Sequence, residues 1–216
     1  MTKLKVWGRK SSSNVQALMW CIGELRLPYE RIDAGHVHGV VDTPDYLAMN
    51  PNGRVPTLVD GDGPPLWETG AILRYLANSY APDDFWPAEA TARANVDRWA
   101  EWAKLNIAGN FTTPVFWRVV RTPPSKRNPA AIDRALAELN RYLAIAESQL
   151  SRFRYLAAEC LTLADIQFGH CLYRYFDIDI ERVEYPNLER YYEMLNKRPA
   201  FREHVMIAYE DLRERD

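Results

Sequence analysis

Residues 4–28, LKVWGRKSSSNVQALMWCIGELRLP, set the fold. Leu4-Lys5-Val6-Trp7 is short, alternating and β-prone, and Gly8 ends it. A polar loop over residues 9–14 follows. Val15, Leu18, Met19, Ile22 and Leu25 then recur at the spacing of one helix face, and Pro28 closes the segment. A strand delivered through a serine-rich loop into an amphipathic helix is the opening of an α/β unit.

Working outward, residues 29–33 read as a second strand, Val55 to Val59 as a third and Leu66-Trp67 as a fourth. Asp60-Gly61-Asp62-Gly63 supplies the turn between the last two. Ala71, Ile72, Tyr75 and Leu76 mark another helical stripe. The order β-α-β, loop, β-β-α describes a small α/β sandwich over residues 1–81. Residues 82–87, Pro-Asp-Asp-Phe-Trp-Pro, read as a linker to an all-helical unit over residues 88–216. In that unit Ile132, Leu136, Leu139, Leu143, Ala146 and Leu150 predict one long amphipathic helix. Thr162 and Asp165 form a Thr-x-x-Asp capping box, and Pro186 and Pro199 suit first helical turns.

Composition narrows the function. The 216 residues carry a net charge of −2, so no basic surplus points to nucleic acid or an anionic membrane. No run reaches the roughly 18 apolar residues of a membrane span, and MTKLKVWGRK has no apolar signal core. Cys21, Cys160 and Cys171 are odd in number and far apart, which fits reduced thiols in a cytoplasmic protein. Cys21 sits mid-helix among apolar neighbours and reads as inert. His36 and His38 alone make a poor metal site, so no metal is expected.

Three segments carry possible chemistry. Ser11-Ser12-Ser13-Asn14 stands at a helix start, where free N–H groups favour an anion and would lower the pKa of a thiol placed there. The chain has no cysteine at this point, so any thiol must arrive with a ligand. The same residues also suit a plain N-cap. In Asn50-Pro51-Asn52-Gly53-Arg54-Val55-Pro56-Thr57-Leu58, a cis Val55-Pro56 bond would turn the Val55 backbone outward to pair with an extended peptide; a Pro/Gly turn is the alternative. In Trp67-Glu68-Thr69-Gly70-Ala71-Ile72, a carboxylate and a hydroxyl meet at a strand-to-helix junction. Together they fit an amino-acid head group, or a helix cap without a ligand.

Taken in this order the three segments resemble the glutathione transferase family, and most of all its bacterial, theta-like serine type. The resemblance runs from about residue 3 to 208 and includes residues 44–58, 67–76, 155–166 and 185–201. It implies a thioredoxin-like α/β domain that binds glutathione, followed by an all-α helical bundle that holds an apolar electrophile. By the family's register, Ser12, two positions before Asn14, activates the thiol, with Asn14 its neighbour among the glutathione-binding residues and Ser11 and Ser13 one position away on either side. Val55, just before Pro56, would be the backbone clamp, and Arg54 would meet the glycine carboxylate. Glu68 and Thr69 would hold the γ-glutamyl end, with Thr69-Gly70-Ala71 replacing the more usual Ser-Asn-Ala. His36 is a further candidate at the glycine end, and Asn106, Phe111, Trp117 and Tyr173 are candidates for the electrophile pocket.

The resemblance also implies a homodimer with the glutathione site near the interface. Other outcomes on the same scaffold are a glutathione-dependent isomerase, dehalogenase or disulfide reductase, or a non-catalytic binding module. A free thiol with pKa near 8.5 is only about 3% thiolate at pH 7, and lowering it by about two units is worth about 2.7 kcal/mol. A serine hydrogen bond and a helix terminus together supply energies of that order.

Overall fold

A computed structural model describes residues 3–216. Strand β1 (Leu4–Trp7) leads into α1 (Ser13–Glu24), and β2 (Tyr29–Ile32) returns beside β1. A short helix, α2 (Pro44–Met49), precedes β3 (Thr57–Asp60), β4 (Leu66–Trp67) and α3 (Thr69–Tyr80). The sheet order is β2-β1-β3-β4. β1 and β2 are parallel, with Leu4 opposite Tyr29, and α1 is the crossover that a parallel pair requires. β3 runs antiparallel to both β1 and β4, as a tight turn between β3 and β4 dictates. This is the thioredoxin-like arrangement expected from the sequence.

The third strand begins two residues later than its sequence suggests, at Thr57 rather than Val55. Pro56 has no N–H to give to a ladder, so pairing starts beyond it, with Thr57 opposite Trp7. The first helix starts at Ser13, two residues before its apolar stripe. Its long burial run from Val15 to Ile22 follows from being covered on two sides, by α3 and by the helical half.

After Tyr80 the chain is helical. α4 (Ala90–Trp102) continues without a break through π-helical turns at Ala103–Ala108 and Thr112–Trp117, with short α segments at Gly109–Phe111 and Arg118–Val120. Pro114 lies inside the second π turn, where its missing N–H cannot support an α-helical bond. Then come α5 (Pro129–Leu150), α6 (Leu163–Gly169), α7 (Leu172–Asp177), α8 (Pro186–Asn196) and α9 (Pro199–His204). Pro129, Pro186 and Pro199 each open a helix in its first turn.

The segment at residues 82–87 is anchored and not a loose tether. Phe85 and Trp86 are buried, Trp86 Nε1 donates to Asn78 Oδ1 at 2.8 Å, and the Leu163 N–H donates to the Phe85 carbonyl. α1 packs on α9 and α6, so one helix belongs to both halves of the core. Trp20 sets its ring edge on Phe201, 4.8 Å between centroids. Gly169 makes this possible: a Cβ there would lie 2.7 Å from Leu195 and 2.9 Å from Trp20. Arg198 closes the same seam with two bonds to the Glu24 carboxylate, at 2.7 and 2.6 Å.

The capping box at α6 is complete and fully buried. Asp165 accepts from the Thr162 N–H, the Thr162 hydroxyl, the Leu156 N–H and the Tyr191 hydroxyl. Burial still raises its pKa from the ordinary carboxylate value, with those bonds opposing the rise.

Candidate functional site

The end of β1 and the start of α1 form the floor of a cleft. Ser12 is the N-cap of α1: its backbone is extended (φ −83°, ψ 124°), and its carbonyl accepts from the Gln16 N–H at 2.8 Å. Its hydroxyl makes no capping bond. Ser11 differs. Its hydroxyl donates to Asp211 Oδ2 at 2.6 Å, and its carbonyl accepts from Arg174 Nη2 at 2.6 Å. Ser13 is already helical and half-buried. Asn14 Oδ1 accepts from Lys104 Nζ at 2.8 Å, joining α1 to the first π turn.

One wall is the loop before β3. The Val55-Pro56 peptide is cis, and Val55 lies outside the ladder that begins at Thr57. The preceding carbonyl is held from two directions: the Tyr46 hydroxyl and Asn50 Nδ2 each donate to Arg54 O at 2.7 Å. Both side chains also meet Thr57 Oγ1, at 2.9 and 3.1 Å. Gly53 sits at φ +58°, and a Cβ there would press on the Val41 carbonyl at 3.1 Å. This buried network fixes the backbone of Arg54 and Val55, while the Arg54 side chain stays exposed on the cleft.

Glu68 stands at the start of α3 with φ +67°, a region that costs a non-glycine residue of order 1–3 kcal/mol. Its side chain is exposed, whereas Thr69 beside it is buried. Neither is among the residues lining the cleft; they follow β4, the edge strand of the sheet. The Glu68 charge acts on Lys104. Burial lowers its pKa, and the Cys171, Glu68 and Glu101 groups oppose that shift.

The cleft encloses about 440 Å³ between the two halves of the fold. Its α/β wall carries Ser12, Asn14, His36, Arg54 and Val55; its helical wall carries Thr112, Trp117, Arg121, Arg174 and Leu212. Of the four sequence candidates for an electrophile pocket, Trp117 lines the cleft and the others lie elsewhere. Phe111 is buried in the core, with its ring against Phe116 and Tyr175. Asn106 turns inward along its own helix and donates to the Trp102 carbonyl at 3.0 Å. Tyr173 packs beside Tyr209 at 6.4 Å between centroids. Helical periodicity places all three on the rod or its neighbours without saying which side faces the sheet.

His36 Nε2 lies 3.4 Å from the Asp211 carbonyl at the cleft edge, and His38 Nε2 lies 3.7 Å from Asp33. Among the described residues, no three His, Cys, Asp or Glu side chains are grouped to hold a metal. Cys21 is fully buried, and burial pushes its thiol pKa far up. Sequence reading missed Arg9, Arg121, Arg174, Lys104 and Asp211. Nothing in their local sequence marks them, because they meet only through long-range packing.

Uncommitted donors at a helix start, beside a backbone edge free to pair, define a site for an extended peptide-like ligand carrying an anion. The model of the glutathione S-transferase N-terminal domain matches residues 2–78, and that of the C-terminal domain matches residues 110–199. The chain belongs to the glutathione S-transferase family. It is 37% identical over 205 residues to glutathione S-transferase GstB of Escherichia coli K12, covering 94% of this chain and 98% of that one. Glutathione S-transferase 3 of Zea mays is 37% identical over 168 residues, 76% of this chain and 75% of that one. The fold superimposes on the theta class glutathione S-transferase of Xanthomonas axonopodis pv. citri with glutathione bound, at a TM-score of 0.90 and 43% identity, covering 96% of this chain and 99% of that one. No helix of this chain, among the described residues, is long and apolar enough to cross a membrane.

Proposed function

We propose that the cleft binds glutathione, that Ser12 activates its thiol, and that the resulting thiolate attacks an electrophile held against the helical wall. The observation that carries this reading is the difference between two neighbouring serines. Ser11 gives its hydroxyl to Asp211, while Ser12 keeps a free hydroxyl at the N-terminus of α1. A hydroxyl donates to sulfur most strongly when the sulfur is an anion, and the helix terminus favours the same charge. Both effects act on the reactive form of the ligand.

In this reading the peptide part of glutathione runs along the α/β wall. The Val55 N–H and carbonyl pair with its backbone, Arg54 meets the glycine carboxylate, and Glu68 and Thr69 take the γ-glutamyl ammonium and carboxylate. Asn14 keeps the Lys104 cation beside the site. The reaction forms a carbon–sulfur bond and expels a leaving group, or adds sulfur across an activated double bond. The protein acts as a cytoplasmic homodimer.

The test is ultraviolet titration of glutathione bound to the protein, combined with turnover of a panel of electrophiles. A bound-thiol pKa well below 8.5 together with turnover is the expected result. Glutathione that binds with an unshifted pKa, and no turnover of any electrophile, would make this a binding module and overturn the proposal.

A further inference from the structure

The cleft carries more positive charge than an apolar electrophile needs. Arg9, Arg121 and Arg174 all line the cleft, and among the described residues none of them forms an ion pair with a carboxylate. Among the described residues, the carboxylate that acts on both Arg9 and Arg174 is Asp211, and it already accepts the Ser11 hydroxyl.

Two of these guanidiniums are held in an unfavourable state. Arg174 is 3% exposed, stacked over Phe116 at 4.6 Å and Tyr209 at 5.5 Å. Its Nη2 donates to the Ser11 carbonyl, but its Nε is buried without a partner. The Arg9 Nε is buried and unpartnered as well. Burial lowers both pKa values, Arg174 to about 10, and Arg121 adds repulsion to Arg9. Each remains charged at neutral pH. Buried donors and like charges of this kind weigh against folding unless an anion completes them. Arg121 sits over the Trp117 ring at 4.5 Å, beside Leu212 and Val55 on the lining, so apolar surface adjoins the charge.

We infer that the electrophile taken by this cleft is anionic: a small molecule with an apolar or aromatic body and a carboxylate, held by the Arg9, Arg121 and Arg174 cluster where the helical wall meets the Ser11 loop. This rests on the glutathione reading above and departs from the apolar electrophile expected from the sequence. The guanidinium fork matches a carboxylate in two parallel bonds. Arg54, Glu68 and Thr69 are the residues assigned to glutathione itself, which leaves this cluster for the second substrate.

A matched pair of substrates tests it: 4-chloro-3,5-dinitrobenzoate and its methyl ester. In both, the thiolate sulfur bonds to the carbon bearing chlorine, chloride leaves with the bonding pair, and the thiol proton goes to solvent. The readouts are kcat/KM relative to the uncatalysed rate, and calorimetric affinity of the two glutathione conjugates. The wild-type protein should favour the carboxylate over the ester by roughly 10- to 100-fold in both readouts, the range expected for a hydrogen-bonded charge. Arg121→Gln, at a half-buried position, should bring that ratio toward one while moving the KM for glutathione far less.

Equal handling of acid and ester by wild-type protein would overturn the anionic assignment and leave the glutathione reading standing. If Arg121→Gln weakens glutathione and both conjugates alike, the arginine serves glutathione and the assignment fails. If neither glutathione nor either conjugate binds, the glutathione reading is itself wrong and this inference falls with it.

Discussion

The Ser11 hydroxyl lies 2.6 Å from Asp211 Oδ2, a contact between residues 200 positions apart. It separates two serines that are equivalent by composition: one becomes part of the scaffold and the other stays available to a ligand. Ser12→Ala should therefore raise the pKa of bound glutathione by about one unit and lower turnover by roughly tenfold, the size of one charge-assisted hydrogen bond. Its glutathione affinity should change little. Ser11→Ala should leave the thiol pKa nearly in place and lower stability by about 1–3 kcal/mol, since it strips a partner from Asp211. Ultraviolet thiolate titration of both variants decides the register. A pKa that moves in Ser11→Ala and not in Ser12→Ala places the activating hydroxyl one residue earlier.

Glu68 sits at φ +67° and is exposed at the edge of the site. In the proposed glutathione pose its carboxylate meets the γ-glutamyl end of the ligand and not the thiol. Glu68→Ala should raise the KM for glutathione by roughly 10- to 100-fold, while kcat at saturation stays within about twofold. Steady-state kinetics across a wide glutathione range makes the measurement. An unchanged KM removes Glu68 from the site.

Tyr46 and Asn50 both donate to the Arg54 carbonyl from beneath the loop that carries Val55. Tyr46→Phe deletes a buried hydroxyl with two partners, Arg54 O and Thr57 Oγ1. It should lower stability by about 1–2 kcal/mol and raise the glutathione KM, with kcat less affected. Denaturant unfolding and kinetics on the same preparation test the pair of effects together. A stability loss with an unaltered KM would confine Tyr46 to folding.

His170 is 1% exposed, with Nδ1 3.2 Å from the Ile166 carbonyl and Nε2 3.4 Å from Cys171 Sγ. Burial, with Lys104 adding repulsion, lowers its pKa to about 3. The unfolded chain binds a proton there near pH 6.5 and the folded protein does not, so stability is lost as pH falls through the window from 6.5 to about 3. The slope for one such group approaches about 1.4 kcal/mol per pH unit. The stability difference between wild type and His170→Gln, from denaturant unfolding at pH 5, 6, 7 and 8, should narrow as pH falls. A difference constant with pH would show that His170 titrates alike in both states.

Asp165 gathers four donors at the start of α6, two of them buried backbone N–H groups. Asp165→Ala should cost about 3–5 kcal/mol of stability, because every one of those donors loses its partner inside the core. Asp165→Asn, which keeps an acceptor, should cost less. Thermal unfolding of the two variants compares them directly.

The sequence alone determined the elements that local physics dictates. Alternation and helical spacing placed β1, α1, β4, α3 and α5 within a few residues, and Pro186 and Pro199 marked the starts of α8 and α9. The Thr162 and Asp165 box was legible because a cap is a contact between residues three apart. Ser12, Arg54, Val55, Glu68 and Thr69 could be nominated because each lies in a short motif with its own backbone chemistry. Tertiary structure alone decided which hydroxyl of three serines is occupied, since Asp211 comes from the far end of the chain. It alone sent Phe111 into the core and left Trp117 on the cleft: a π turn rotates the rod between them, and no local propensity records that rotation. The arginine cluster is of the same kind. Arg9, Arg121 and Arg174 are ordinary cations in sequence, and only packing withdraws them from water and turns them toward one another.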